Sequence, residues 1–334
     1  MQQKEKTGNI IESGGKENLS DKMVDLSFII INYNLAEEIK NCLISLIGNI
    51  NSSSKISFEI LVVDNNSPER NLYAVEELFR KDNIRFYYLN ENMGFGKGCN
   101  FGFTKANGKY ICFLNPDTII EEDIFAQIID LFINDKSIGI IGPQQQKKGR
   151  YFDFSAGFSP NVFFELFNIF GLGVFFEGFI ISLITRIMKR KKLEVKWILG
   201  AAIFIRAELF KEINGFDKDY FMFFEEVDLC RRVAYKGYKI VYCPRLKIHH
   251  IGSVSGKKDY RLYTIRTYSS KYIYISKHNK SLTKFLMKFL LLIQLFSQII
   301  IWTVLYPKNK DKSKQKLSAF LYLLKHKIKY EHRY

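Results

Sequence analysis

Proline and tryptophan are scarce in this chain of 334 residues, at 6 and 2 copies, and glycine stops at 21. With 47% of residues hydrophobic, that poverty excludes a disordered, collagenous or low-complexity protein, and the length can bury one large core or two smaller ones. Cysteine is thin as well. Cys42, Cys99, Cys112, Cys230 and Cys243 are odd in number, never form CxxC and sit in apolar or turn-like contexts, so a reduced, intracellular setting is expected. Residues 1–22 lack the apolar stretch of a signal peptide; export by that route is not expected, and 1–24 reads as a flexible leader. Acidic residues are in deficit. The 34 Asp+Glu against 50 Lys+Arg leave +16, which implies an anionic companion: nucleic acid, an acidic membrane surface or a phosphorylated substrate.

The charge is unevenly placed. Residues 271–334 hold 13 Lys and one Arg against Asp311 and Glu331, so +12 of the +16 falls there, and 257–334 reads as a basic helical region for membrane association. Within it the run 289–306 (FLLLIQLFSQIIIWTVLY) carries no formal charge over 18 residues, near the lower limit for spanning a bilayer. Its two Gln and a Ser fit an interfacial helix equally, with Trp302 and Tyr306 near the headgroups, and a buried core helix would carry the same letters. A phosphate-tracking surface has no use for such a run, so nucleic acid drops out as a partner. A second apolar stretch, 161–188, is broken by Glu165, Gly171, Gly173, Glu177 and Gly178 and ends in a basic cluster at 189–192. This insertion at 161–192 reads as two short helices facing a membrane, or as a hydrophobic lid.

The first half alternates strands and helices. The runs LSFIIIN (26–32), EILVVD (59–64), 85–89 and YICFL (110–114) have the continuous apolarity of buried parallel strands, with helical patterns following 32, over 72–80 and from 100 to 105. The succession predicts an α/β fold over 25–256, a doubly wound, mostly parallel sheet covered by helices on both faces, with amphipathic or membrane helices after it. Ligands bind such sheets at the carboxyl ends of the strands, where Tyr33, Asp64, Asn92 and Asp117 fall.

Those strand ends carry usable chemistry. Asp64, supported by Asn65 and Ser67, can accept hydrogen bonds from a nucleobase or ribose, although Asp is also an ordinary turn-starter. The segment 92–100 (NMGFGKGCN) has the glycines and the lysine, Lys97, of a phosphate cradle. It is not the dinucleotide fingerprint, since Cys99 replaces the last glycine and the first strand lies elsewhere, and it lacks the Walker GK[ST] ending. Hydride transfer and ATP hydrolysis are thereby excluded. In FLNPDT (113–118), Asp117 is placed to hold a hard divalent cation against a diphosphate, or else to cap a helix over 119–132.

In this order the segments IIINYN (29–34), ILVVDNNSPE (60–69), NENMGFGKGCNFG (90–102), FLNPDT, WILGAAIFIRAELFKEINGFD (197–217), FFEEVDLCRR (223–232) and HIGSVS (250–255) resemble the inverting family 2 glycosyltransferases of GT-A fold, in their rhamnosyltransferase-like branch. The resemblance covers 25–255. It implies transfer of a sugar from a nucleotide diphosphate sugar to a hydroxyl of a glycan or lipid-linked saccharide, with inversion, in cell-surface polysaccharide synthesis. Tyr33, Asn34, Asp64 and Asn65 would hold the nucleoside, with Lys97 and Asn100 near the phosphates or sugar. Asn115 and Asp117 match the metal motif for Mg²⁺ or Mn²⁺, and His250, adjacent to His249, matches a further metal or diphosphate ligand. Glu226 matches the general base that takes the acceptor's proton, with Asp228 in reserve. Trp197, Gly200 and Glu225 would form the acceptor side. The resemblance makes deoxythymidine diphosphate rhamnose the first donor to test and leaves other hexose donors open. A polyprenyl diphosphate acceptor at the cytoplasmic face of the membrane follows from the apolar runs. The rival class is a non-catalytic nucleotide-sugar or lipid-binding protein with the same fold. No pattern in the sequence speaks to oligomeric state.

Overall fold

The computed structural model describes residues 11–12, 23–53, 56–81, 83–146, 155–158, 160–170, 172–187, 192–252, 259–326 and 328. Most of the leader, the cluster residues 189–191 and the motif residues 253–255 lie outside these. Strands β1 (Ile11–Glu12), β2 (Val24–Asn32), β3 (Phe58–Asp64), β4 (Ile84–Tyr88) and β5 (Gly108–Leu114) are interspersed with helices α1 (Ala36–Ser53), α2 (Leu72–Leu78) and α3 (Phe95–Thr104). There follow β6 (Thr118–Ile119), α4 (Phe125–Asn134), β7 (Ile138–Gln146), β8 (Ala156–Gly157), α5 (Val162–Asn168), α6 (Gly173–Ile187), β9 (Leu193–Val195), β10 (Trp197–Ile198), β11 (Ala202–Arg206), α7 (Ala207–Glu212), α8 (Glu225–Tyr235) and β12 (Lys239–His250). Helices α9 (Tyr260–His278), α10 (Ser281–Val304) and α11 (Lys310–Lys325) close the chain.

The main sheet runs β1-β4-β3-β2-β5-β11-β7-β12-β6, with β9 also on β12. Strands β4, β3, β2 and β5 are parallel, as are β7 and β12, and antiparallel β11 joins the two sets. Alternation along β2 explains its unbroken apolar run. Phe28 and Ile30 enter one core with residues of α1 and α4, while Ile29 and Ile31 enter a second beneath α3, α7 and α8. The leader contributes β1, paired antiparallel to β4 at the sheet edge.

Two expectations are corrected. The glycine-rich segment is helical from Phe95, and its glycines serve packing: a Cβ on Gly102 would lie 2.6 Å from Ile29 Cγ2, and one on Gly96 3.1 Å from Phe216 Cβ. Glycine lets α3 sit close to the sheet, while Asn92, Gly94 and Phe95 at its entry border a cavity. Asp117 does not cap a helix, because Thr118 and Ile119 pair with His250 and His249 and the next helix begins at Phe125.

Helices α9, α10 and α11 share a third core around Ile265, Ile275, Met287, Leu291, Leu295 and Phe320, against which Val162 of α5 packs. Helix α10 has 24 residues and is the one helix among the described residues long and apolar enough to cross a membrane. It is fastened along one side. Gln294 donates Nε2 to the Asn168 carbonyl at 2.8 Å and accepts from Lys271 Nζ at 3.0 Å, and Ser297 donates to the Ile169 carbonyl. The polar letters of the apolar run are therefore its attachments to α5 and α9. Its opposite side exposes Phe285, Phe289, Phe296 and Ile300, and α5 and α6 expose Phe163, Leu166, Phe179 and Leu183.

Candidate active site

A cavity of about 1530 Å³ opens where the parallel strands end. The loops after β2 and β3 form its floor. Asp64 Oδ1 accepts from Asn32 Nδ2 and Ser67 Oγ, both at 2.6 Å, and its Oδ2 accepts from the Ser67 N–H at 2.9 Å. The serine hydroxyl also accepts from the Asn34 N–H at 2.9 Å. Asn34 adopts left-handed backbone (φ 57°), which asparagine tolerates better than most residues. Asn65 donates to Asn92 Oδ1 (3.0 Å) and the Gly94 carbonyl (3.1 Å) and accepts from the Met93 N–H (2.9 Å), tying the β3 loop to the entry of α3.

Tyr33, Asn34, Asn65 and Asn115 line the cavity as expected; Asp64, Lys97 and Asn100 do not. Asp64 is the bracket that shapes the loop. Asn100 is spent on Phe216, donating to its carbonyl and accepting from its N–H, each at 2.8 Å. Lys97 lies on α3 between the buried Gly96 and Gly98, away from the wall.

Asp117 is buried beside His250, whose Nε2 lies 3.2 Å from Oδ1, while Oδ2 accepts from the Gly252 N–H at 3.0 Å. Burial raises the Asp117 pKa, but the hydrogen bond and charge of His250, with the Gly252 N–H, outweigh it and hold the carboxyl below its ordinary range. Both neighbouring histidines line the cavity but meet different carboxylates: His249 Nε2 lies 3.8 Å from Glu121 Oε1 near the surface. Among the described residues no group of three His, Cys, Asp or Glu forms a metal cluster. Asp117 and His250 supply an oxygen and a nitrogen donor side by side, a partial set that fits a divalent cation whose remaining ligands are diphosphate oxygens and water.

The third group stands on α8. Phe223 and Phe224 precede it with φ of 70° and 65°, two consecutive non-glycine residues in the left-handed region, each at a cost of about 1–2 kcal/mol. That turn delivers Glu225 and Glu226 to the cavity wall. Each has a buried Oε2 with no hydrogen-bond partner among the described residues. Burial and the adjacent Glu226 drive the Glu225 carboxyl well above its ordinary value. Burial pushes Glu226 up to about 7, with the backbone N–H groups at the start of α8 pulling the other way. Gly200 leaves 4.0 Å between an added Cβ and the Glu226 side chain, and Trp197 lines the adjoining wall with Nε1 donating to the Phe158 carbonyl at 2.9 Å.

Asp228 is a correction. It is fully buried outside the cavity, accepting from Arg232 Nε at 2.7 Å and lying 2.6 Å from His278 Nε2 of α9. Burial raises its pKa, but those two partners outweigh it and hold it below the ordinary range. It joins α8 to α9, with both carboxylate oxygens engaged.

One whole wall comes from regions whose sequence reads as membrane-facing helices or a lid. Glu165 and Glu177 enter from α5 and α6, and Tyr263, Arg266 and Lys271 from α9. Lys271 forms a buried ion pair with Glu165, and burial pushes Glu177 up to about 7. The helical spacing 263-267-271, with 266, is the mark of this face in the basic region.

The sequence profile of glycosyl transferase family 2 matches residues 27–210, which hold the strand-end loops, Asp117 and Gly200. The chain belongs to this family. Among curated relatives, the family-2 chain is 26% identical over 174 residues to rhamnosyltransferase WbbL of Escherichia coli K12, covering 47% of this chain and 60% of that protein. It is 32% identical over 82 residues to N-acetylglucosaminyl-diphospho-decaprenol L-rhamnosyltransferase of Mycobacterium tuberculosis CDC 1551 / Oshkosh, covering 25% and 27%. The chain thus spans less than two thirds of the length of either relative. Its architecture is similar to that of the mannosyltransferase PcManGT from Pyrobaculum calidifontis, solved with GDP-Man and Mn²⁺, at a TM-score of 0.56 and 15% identity over 90% of this chain and 87% of that one. The family-2 chain has the α/β GT-A fold expected from its motifs.

Proposed function

We propose that this chain transfers a sugar from a nucleotide diphosphate sugar to an acceptor hydroxyl, with inversion, in polysaccharide synthesis. The observation that carries the reading is the Glu226 carboxyl, raised to about 7 and sharing one cavity with the Asp117–His250 pair. A base with that pKa is substantially ionised near neutral pH and still holds a proton well. Glu226 takes the hydroxyl proton as the acceptor oxygen forms its bond to the anomeric carbon; the bond from that carbon to the diphosphate oxygen breaks, and the nucleoside diphosphate leaves with the electron pair. Tyr33, Asn34 and Asn65 orient the nucleoside, and Trp197 and Gly200 shape the acceptor side. Asp117 and His250 would hold Mg²⁺ or Mn²⁺, which would supply positive charge to the leaving diphosphate.

Similarity to two rhamnosyltransferases supports deoxythymidine diphosphate rhamnose as donor. The exposed apolar sides of α10, α5 and α6, bordered by lysines, support work on a lipid-linked acceptor at the cytoplasmic membrane face. The test is a donor panel read by nucleoside diphosphate release, with and without Mg²⁺ or Mn²⁺, alongside Glu226→Gln. Release from one donor is expected, falling by about 10²–10⁴ in the variant while donor binding persists; no release from any donor would refute the reading.

A further inference from the structure

One stripe of α9 faces the cavity: Asp259, Leu262, Tyr263, Arg266, Thr267 and Lys271 recur at three- and four-residue spacing. Two of its three charges are accounted for. Asp259 accepts from the Leu262 N–H at 2.8 Å as the cap of α9, and Lys271 is neutralised by Glu165. Arg266 has no carboxylate within ion-pair distance among the described residues, and its Nε is buried without a hydrogen-bond partner there. Its guanidinium lies over the Phe221 ring, 4.6 Å from the centroid.

Arg266 is also among the residues that line the cavity, so the stacked guanidinium stands at its wall. A partly buried cation with an unsatisfied donor is expensive unless an anion completes it. The place is specific. The Phe221 carbonyl accepts from the N–H of Phe95, the first residue of α3, at 2.9 Å, and Ser270 of α9 donates to the Met222 carbonyl at 2.8 Å, so Arg266 is pinned beside the Gly94 turn. The segment 221–222 leads straight into the strained pair that presents Glu226.

We infer that Arg266 is a diphosphate-binding residue, its fork donating to phosphoryl oxygens inside the cavity. The inference deepens the proposed transfer and rests on it for the source of the anion, which is either the departing nucleoside diphosphate or the diphosphate of a lipid-linked acceptor. The anion site itself does not depend on which chemistry follows.

The probe is inorganic pyrophosphate, titrated calorimetrically into the full chain. Wild type is expected to bind it, with Arg266→Gln weakened about tenfold or more and Arg266→Lys, which keeps the charge without the fork, in between. Equal binding by wild type and Arg266→Gln would overturn the site, as would no binding by wild type; if Arg266→Gln does not fold, unchanged binding by Arg266→Lys overturns the fork. Kinetic arms separate the sources: a rise in KM for donor with weaker inhibition by nucleoside diphosphate assigns the leaving group, and a rise in KM for the lipid-linked acceptor alone assigns the acceptor. Arginine-dependent pyrophosphate binding without transfer from any donor would sink the proposed activity and leave the anion site standing.

Discussion

Replacing Asp228 by Ala tests whether this acid belongs to the chemistry or to the scaffold. The carboxylate is fully buried and serves two partners, the Arg232 guanidinium at 2.7 Å and the His278 ring at 2.6 Å. Its removal leaves Arg232 with the Ile213 carbonyl as an acceptor and with Nη2 already unsatisfied among the described residues. Breaking one partner of a buried pair costs about 3–5 kcal/mol, because the other charge stays behind. With a urea slope of about 3 kcal/mol per molar, the unfolding midpoint should fall by roughly 1–1.7 M at pH 7. Urea titration followed by circular dichroism reads this, and nucleoside diphosphate release without denaturant reads the activity. The pH dependence gives an internal control. Because the native Asp228 pKa is lowered, its contribution is complete above the unfolded value of about 3.9 and disappears as pH falls through the native one, so the gap between wild type and variant should close only under acid conditions. A midpoint matching wild type together with abolished transfer would refute the scaffold role and return Asp228 to catalysis.

Transfer should be base-limited: kcat/KM is expected to rise with pH through about 7, since a Glu226 raised to that value is protonated below it and cannot accept a proton. A flat profile between pH 5.5 and 8.5, measured by product release, would contradict this. Phe289→Glu with Phe296→Glu removes two half-exposed rings from the outer side of α10 and should weaken binding to anionic-lipid vesicles by over about a hundredfold, at about 1.5–3 kcal/mol per ring, with the thermal midpoint unmoved. Co-sedimentation equal to wild type would deny α10 a membrane role. Gly94→Ala forces a side chain onto φ 85° with its Cβ 2.2 Å from the Phe221 carbonyl oxygen, and should lower urea stability by about 1–2 kcal/mol or more; an unchanged midpoint would mean the α3 entry is not held as described.

The sheet was legible because β2, β3 and β5 are buried on both faces, so every position along Phe28–Ile31 or Leu61–Val63 must be apolar whichever way it points. The strand-end loops were legible for a related reason: Asn, Asp and Ser there have few roles besides shaping a turn or meeting a ligand. The first half of α3, before Asn100, was hidden by glycines, which lower helix propensity yet are what close contact with Ile29, Ile31 and Phe216 requires along the helix. Asp228 looked like an alternative base since its partner at Arg232 is local but His278 is 50 positions away. Arg266 gave no motif at all. Its meaning comes from Phe221, met only when α9 folds back over α8, and sequence spacing carries no trace of that contact.

The position of α9 has a practical consequence for anyone preparing this protein. One edge of the helix walls the cavity, its last turn holds Asp228, and its middle is bolted through Lys271 to α5 and α10. Trimming the basic C-terminal end to gain solubility would therefore remove a wall of the cavity along with the exposed apolar surface. A soluble version is better sought by repainting the outward positions of α10, such as Phe285, Phe289, Phe296 and Ile300, while the helices beneath keep their grip.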